Sequence, residues 1–391
     1  MAKPSPHVFV LAGEASGDNL GARLMAALKR QTGDNICFSG VGGPAMIEQG
    51  LDSLFPMRDL ALMGLAEIVP HLPRLIGRLR ETVAAVARLR PTVVVTIDSP
   101  GFSLRVAERV RRLGIPTIQY VAPQLWAWHP QRGGKLASQV DHVLALLPFE
   151  PEFFAQFNVG CTFVGHPIVE SGLDGGDGAA FRRRHGIGDQ SPVVVTMPGS
   201  RATEVRRLLP TFGAAMKRLQ DSYSDLTAVV PTVVTTADVV RDVIRNWGLP
   251  TIVIGDAEEK ADAFAGSDAA IAKSGTSTLE LALAGVPMVV AYKVSAITAF
   301  LARRLITVDN VAMVNLLVDR EFVPECLQED CRPDRLAEEL DRLIGDEAAR
   351  SRQQMGLAEA VAALGSGTPA PSERAAKAVL DAATGARSSN E

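Results

Sequence analysis

The sequence predicts an α/β protein built as two tandem Rossmann-like domains facing across a cleft. Three observations carry that expectation. Short β-branched runs alternate with amphipathic helical patterns, as expected for parallel strands covered by helices on both faces. The rhythm breaks once, over residues 170–191, where Gly172, Gly175, Gly176, Gly178, Gly186 and Gly188 sit among charges, and then restarts. Finally, 391 residues exceed what one hydrophobic core usually organises.

The elements follow in order. Residues 8–12 (VFVLA) read as a buried strand that turns through Gly13-Glu-Ala-Ser-Gly-Asp18 into a helix over 19–29. Residues 92–97 (TVVVTI), 117–121 and 142–146 continue the strand series. After the break come strands at 193–197, around 228, at 251–254, 269–272 and 288–291, with helical pattern beyond Arg332. The expected divisions are an N-terminal domain at 1–170, a second at 190–355 and a helical tail at 356–391 that frays past Ser366.

Composition narrows the function classes. Apolar residues make up 47% and charged residues 21%, and a net charge of −4 gives no general pull towards nucleic acid. The four cysteines, Cys37, Cys161, Cys326 and Cys331, lack metal-site spacing and read as reduced thiols of a cytosolic protein. The apolar run at 8–12 is too short for a signal-peptide core, and no run of about 18 apolar residues suggests a membrane span. No G-x-G-x-x-G or P-loop pattern occurs, and no Asp-x-Asp pair, so neither a cofactor nor a metal is expected.

In open α/β sheets, ligands bind outside the carboxyl ends of the strands, so residues just past strands are the candidates. Asp98 ends the strand at 92–97, where it can serve as a general base or merely cap the next turn. Gly199-Ser-Arg201 follows the first strand of the second half. Arg201 offers a cationic fork for a diphosphate, or a surface pairing with Glu204. Ser274-Gly-Thr-Ser-Thr-Leu-Glu280 turns from a strand into a helix whose free N–H groups favour a phosphate. Within it, Gly275, Thr276 and Ser277 supply donors, and Glu280 can hold sugar hydroxyls. Ser277 and Glu280 equally satisfy the spacing of a capping box.

These segments carry a resemblance. Gly13-Glu-Ala-Ser-Gly-Asp18, Gly40-Val-Gly-Gly-Pro44, Met63-Gly64, Ile97-Asp98-Ser-Pro100, Trp126-Ala-Trp128, Leu147-Pro-Phe-Glu150, Phe163-Val-Gly-His166, Pro198-Gly-Ser-Arg201, Ser274–Glu280 and Asn315-Leu-Leu317 run in order through about residues 8–345. Together they resemble the lipid-A-disaccharide synthase family, inverting glycosyltransferases of the GT-B architecture. One departure is Val314, where the family usually has Pro; it predicts a looser loop around Asn315.

The resemblance implies transfer of a diacylated glucosamine from its UDP donor to the 6-hydroxyl of diacylglucosamine 1-phosphate (lipid X), releasing UDP. It implies Asp98 as the base, and Gly199, Ser200, Arg201, Gly275, Thr276, Ser277, Glu280 and Asn315 around the nucleotide. Ser16, Met63, Leu65, Trp126 and Trp128 would border the acceptor, with His71 and His129 nearby. The second domain would hold the UDP-sugar and the first the acceptor lipid. A homodimer with exchanged C-terminal segments is implied as well, and a peripheral position on the cytoplasmic face of the inner membrane. Other readings share the nucleotide loop: the peptidoglycan N-acetylglucosaminyl transferase, a UDP-sugar epimerase, or a UDP-sugar binding protein without catalysis.

A lipid substrate gives meaning to residues 60–90, where Arg74, Arg78, Arg80, Arg88 and Arg90 interleave with apolar side chains against only Glu67 and Glu81. Leu72, Leu75, Leu79, Val83 and Val86 have helical spacing and are expected in the core, which leaves residues 60–69 as the membrane or acyl-chain contact.

Overall fold

The computed structural model describes residues 5–60, 65–128, 130–255, 257–295, 299, 310–367 and 369–385, with backbone alone for 65–70, 257 and 258. The chain forms two compact units, residues 1–167 with 365–391, and residues 168–364.

The first unit is a seven-stranded sheet of β1 (His7–Ala12), β2 (Cys37–Val41), β3 (Asp52–Ser53), β4 (Val93–Ile97), β5 (Thr117–Tyr120), β6 (His142–Ala145) and β7 (Gly160–Phe163), in the order β3-β2-β1-β4-β5-β6-β7. Every pairing is parallel, with Val8 opposite Val93 and Ala12 opposite Ile97. The strand order reverses between β1 and β4, the switch point at which open α/β sheets bind ligands. The second unit repeats the plan with β8 (Val193–Met197), β9 (Thr227–Pro231), β10 (Thr251–Ile254), β11 (Ala269–Lys273), β12 (Met288–Tyr292) and β13 (Glu325–Leu327), ordered β10-β9-β8-β11-β12-β13. Its reversal falls between β8 and β11. The candidate loops therefore follow the two strands flanking each switch point.

Apolar periodicity seats the helices. Helix Ala15–Thr32 buries Leu20, Leu24, Met25 and Leu28 on the sheet and stops at Gly33, whose left-handed backbone (φ 60°) lets the last carbonyls be capped. Helix Ala202–Leu219 does the same in the second unit with Val205, Leu208, Phe212 and Met216. The central strands were legible as apolar runs, whereas β2, β3, β7 and β13 were not. These lie at or beside the sheet edges, are short, and include exposed residues such as Cys37 and Gly160.

The C-terminal expectation needs correction. The tail foreseen at 356–391 is divided: helix Glu347–Ala363 belongs to the second unit, and the chain from Gly365 returns to the first. Helix Pro371–Ala383 packs on helix Ala15–Thr32, with Ala375, Ala376 and Val379 fully buried. Arg374 Nε donates to the Val164 carbonyl (2.7 Å), and Gln31 Nε2 donates to Glu373 Oε2 (2.7 Å). Small side chains let the helices approach closely, so residues that read as a weak tail form a core face.

Helix Leu65–Leu89 is also split in character. Its second half buries Leu79, Thr82, Ala85 and Val86. In its first half Leu72 is 43% and Ile76 40% exposed, so Leu72 does not join the core as expected. The helix is tied down at its middle, where Arg74 and Arg78 both pair with buried Asp59 and the Arg78 guanidinium lies 4.4 Å over the Phe55 ring. No helix among the described residues is long and apolar enough to cross a membrane. Met63 and most of residues 60–69 lie outside the described residues, as do the Leu65 side chain and His129.

Candidate active site

In the first unit the loops after β1 and β4 meet. Ser99 Oγ donates to Glu14 Oε1 (3.3 Å), and Ser16 is exposed on the first turn of helix Ala15–Thr32. Asp98 is partly exposed and holds a left-handed backbone (φ 49°), as do Ser99 (φ 45°) and, past β5, Val121 (φ 75°). Such conformations cost roughly 1–3 kcal/mol each in non-glycine residues and cluster where a site needs a fixed geometry. Buried Gln119 braces them: its Nε2 donates to the carbonyls of Asp98 and Val121, 3.3 Å each, while its Oε1 accepts from Thr96 Oγ1 (2.7 Å). Asp98 Oδ1 accepts the Ser99 N–H (2.8 Å), so the carboxylate caps its own turn and is held at the switch point. The two readings of Asp98 are thus compatible.

Several neighbouring motif residues act as scaffold. Asp18, 4% exposed, accepts the N–H groups of Gly43, Ala45 and Met46 at 2.8–3.1 Å, locking the Gly40–Pro44 turn onto helix Ala15–Thr32. Trp126, placed at the acceptor from sequence, is instead buried: its Nε1 donates to Glu150 Oε1 (3.1 Å) and its ring meets Phe149 edge-on at 4.9 Å. Glu150 Oε2 accepts the Leu146 and Leu147 N–H groups, 3.0 Å each. Burial pushes the Glu150 carboxyl up to about 7 despite these three donors. Trp128 stands 42% exposed and remains available to a ligand.

In the second unit, Gly199, Ser200, Ser277 and Glu280 come together around a cavity of about 300 Å3 at the carboxyl ends of β8 to β11. Thr232, Val233, Gly255 and Lys260 complete much of its wall. Gly199 has φ 110°, and a Cβ there would sit 2.4 Å from Glu204 Oε2, so only glycine serves. Helices Ala202–Leu219 and Thr276–Leu283 both begin beside this cavity, with Gly275 (φ 145°) as the N-cap of the second. No side chain caps that helix, which leaves its first N–H groups for a ligand. The capping box is therefore not formed: Glu280 Oε2 pairs with Lys260 Nζ at 2.8 Å instead.

Other expected residues are placed differently. Arg201 is the N-cap position of helix Ala202–Leu219, largely exposed, and 3.6 Å from Glu204, which Lys273 also approaches at 3.2 Å. It does not line the cavity, and neither do Gly275 or Thr276. Asn315 is a clear correction. It is fully buried, its Nδ2 donating to the Val323 carbonyl and Glu325 Oε1 (2.9 Å each) and its Oδ1 accepting the N–H groups of Phe322 (3.2 Å) and Val323 (3.1 Å). With its hydrogen-bonding capacity spent inside the protein, it braces a turn rather than a nucleotide. Val314 is itself buried beside it, so the loop is well held without the family's proline. Lys260 escaped the sequence reading because it sits inside a helix, among acidic residues. Thr232 directly follows a strand, and the strand-end rule applied to β9 would have found it.

Two Rossmann-type sheets, with a phosphate-ready cavity at one switch point and a strained carboxylate at the other, define a protein of the GT-B class. Within that class the chain belongs to the lipid-A-disaccharide synthetase family, whose model matches residues 8–379. The lipid-A-disaccharide synthase of Rhodospirillum centenum is 53% identical over 96% of this chain and 94% of its own length. That of Gluconobacter oxydans is 47% identical over 96% and 90%. A Neisseria meningitidis UDP-GlcNAc 2-epimerase solved with UDP-GlcNAc shares the fold, with a TM-score of 0.63 at 12% identity over 96% of this chain and 98% of that one.

Proposed function

We propose that the protein transfers a diacylated glucosamine from its UDP donor to the 6-hydroxyl of diacylglucosamine 1-phosphate, with inversion. Asp98 takes the hydroxyl proton, the oxygen attacks the anomeric carbon, and the bond to the diphosphate breaks so that UDP leaves with the electron pair. The observation that carries the reading is the cavity joining Gly199, Ser200, Ser277 and Glu280 at two helix N-termini. The helix ends stabilise the diphosphate, Arg201, next in the chain to the cavity-lining Ser200, adds its cation from outside the lining, and Glu280 receives the ribose hydroxyls. Helix Leu65–Leu89 serves as the peripheral membrane contact through Leu72 and Ile76. Two copies exchanging helix Pro371–Ala383 would reproduce between chains the packing this helix makes within one.

UDP release from purified protein given donor and acceptor tests the activity; release with donor alone, or none with both, overturns it. Asp98→Asn is nearly isosteric and is expected to fold and bind UDP normally while turnover falls at least about a hundredfold. Turnover near wild type in that variant would remove Asp98 as the base.

A further inference from the structure

Helix Pro100–Arg111 starts two residues past Asp98. Together with helices Leu125–Trp128 and Gly133–Gln139 it encloses a groove of about 690 Å3 that the reading so far does not use. Its floor is apolar, from Leu104, Leu125 and Leu136. Its rim carries four cations, Arg105, Arg109, Arg132 and Lys135, all exposed. Among the described residues no carboxylate pairs with any of the four. Glu108, the acidic residue of the lining, is taken by Arg112 at 2.7 Å, and the neighbouring Arg111 is held by Asp141 at 2.7 Å. Arg111 and Arg112, just outside the groove, thus have carboxylate partners, whereas the four that line it have none among the described residues, Arg109 Nη1 donating only to the Arg105 carbonyl (2.9 Å).

We propose that this groove seats the phosphate-bearing end of the acylated acceptor, its cations taking the phosphate and its floor the first carbons of an acyl chain. This rests on the transfer reading above and adds a second anchor to it. Charge complementarity argues for an anion, and Arg105 and Arg109, one turn apart on one helix face, present two forks suited to phosphate oxygens. Arg105 lies five residues into the helix, about 8 Å along its axis. That is a sugar's span from the Asp98 end, as a phosphate on C1 and a nucleophile on C6 require. A concave site of this volume fits a bound molecule. The exposed apolar side chains that would suit a bilayer surface, Leu72 and Ile76, lie instead on helix Leu65–Leu89.

The test compares wild type with Arg105→Ala/Arg109→Ala and, on the facing wall, Arg132→Ala/Lys135→Ala, assayed for UDP release in detergent micelles. The acceptor is offered with its phosphate, and separately without it. The expected result is an acceptor KM at least about tenfold higher in either double variant, an unchanged donor KM, and a reduced preference for the phosphorylated acceptor. Arg105→Lys/Arg109→Lys should recover part of the loss, and melting temperatures should hold because the side chains are exposed. Unchanged acceptor KM and preference in both double variants, with wild type active, would overturn the groove and leave the transfer reading standing. A wild type that releases no UDP from the phosphorylated acceptor would sink the transfer reading itself. A defect confined to anionic phospholipid vesicles, with micelle kinetics intact, would mean membrane contact and also overturn the proposal.

Discussion

At the residue scale, two carboxylates show how similar groups are put to different uses. Glu280 sits in an open cavity with Lys260 at 2.8 Å, so it can exchange part of its pairing for a ligand's hydroxyls. Glu280→Ala should therefore weaken UDP binding by about tenfold in a calorimetric titration, since hydrogen bonds to charged groups contribute about 1.5–3 kcal/mol. Unchanged affinity would return Glu280 to a purely structural pairing. Glu150 is 2% exposed and bound to three N–H donors, so no ligand reaches it. Its carboxyl titrates near 4.5 in the unfolded chain and at about 7 in the fold. The folded protein thus keeps a proton that the unfolded chain releases. This contribution is full below pH 4.5 and is lost as pH rises through about 7. Relative to Glu150→Gln, wild type should lose on the order of 3 kcal/mol between pH 4 and 8, read as diverging melting temperatures. Parallel pH profiles would contradict the buried carboxyl. From the sequence, the gathering of Gly199, Ser277 and Glu280 at one cavity was legible because each follows a strand end of the same sheet. Asn315 and Trp126 were not, because a motif shows which side chain is present and not whether its polar atoms are already satisfied.

Elements were legible wherever one physical demand ruled the whole segment. The central strands are apolar on both faces and therefore read plainly. Helix Leu65–Leu89 answers to two demands, with one half covering the sheet and the other leaving Leu72 and Ile76 in contact with solvent. A single helical period describes both halves equally well, which is why Leu72 was assigned to the core. The split yields a sharp expectation. Leu72→Ser with Ile76→Ser should leave the melting temperature within a degree or two, because partly exposed side chains add little to the core. Vesicle co-sedimentation should fall markedly, as each large apolar side chain transferred into lipid contributes roughly 1.5–3 kcal/mol. A lower melting temperature with unchanged sedimentation would assign these residues to packing.

At the scale of the whole molecule, the two sheets repeat one topology but differ in how the chain supplies them. The second unit is a continuous stretch, 168–364, and the first is completed by a segment some two hundred residues further on. Removing residues 366–391 would uncover the face of helix Ala15–Thr32 that Ala375, Ala376 and Val379 cover. The first unit should then melt more than about 4 °C lower, while the second keeps its stability. Equal melting of full-length and shortened chains would show that the helix is dispensable. The composition of this segment, rich in Ala, gave little apolar signal, and only its docking partner reveals its weight.

That fastening also sets an order of events during synthesis. A ribosome releases the N-terminal half first, and domains ordinarily fold as they emerge. Here the earlier half lacks its last helix until the whole of the later half has been made, so the later half, being contiguous, can reach its final form first. Until Pro371–Ala383 arrives, the nascent chain carries an uncovered apolar strip along Ala15–Thr32, open to a chaperone or to a neighbouring nascent chain. A premature stop codon near position 365 would therefore act on solubility and assembly yield before it touched catalysis.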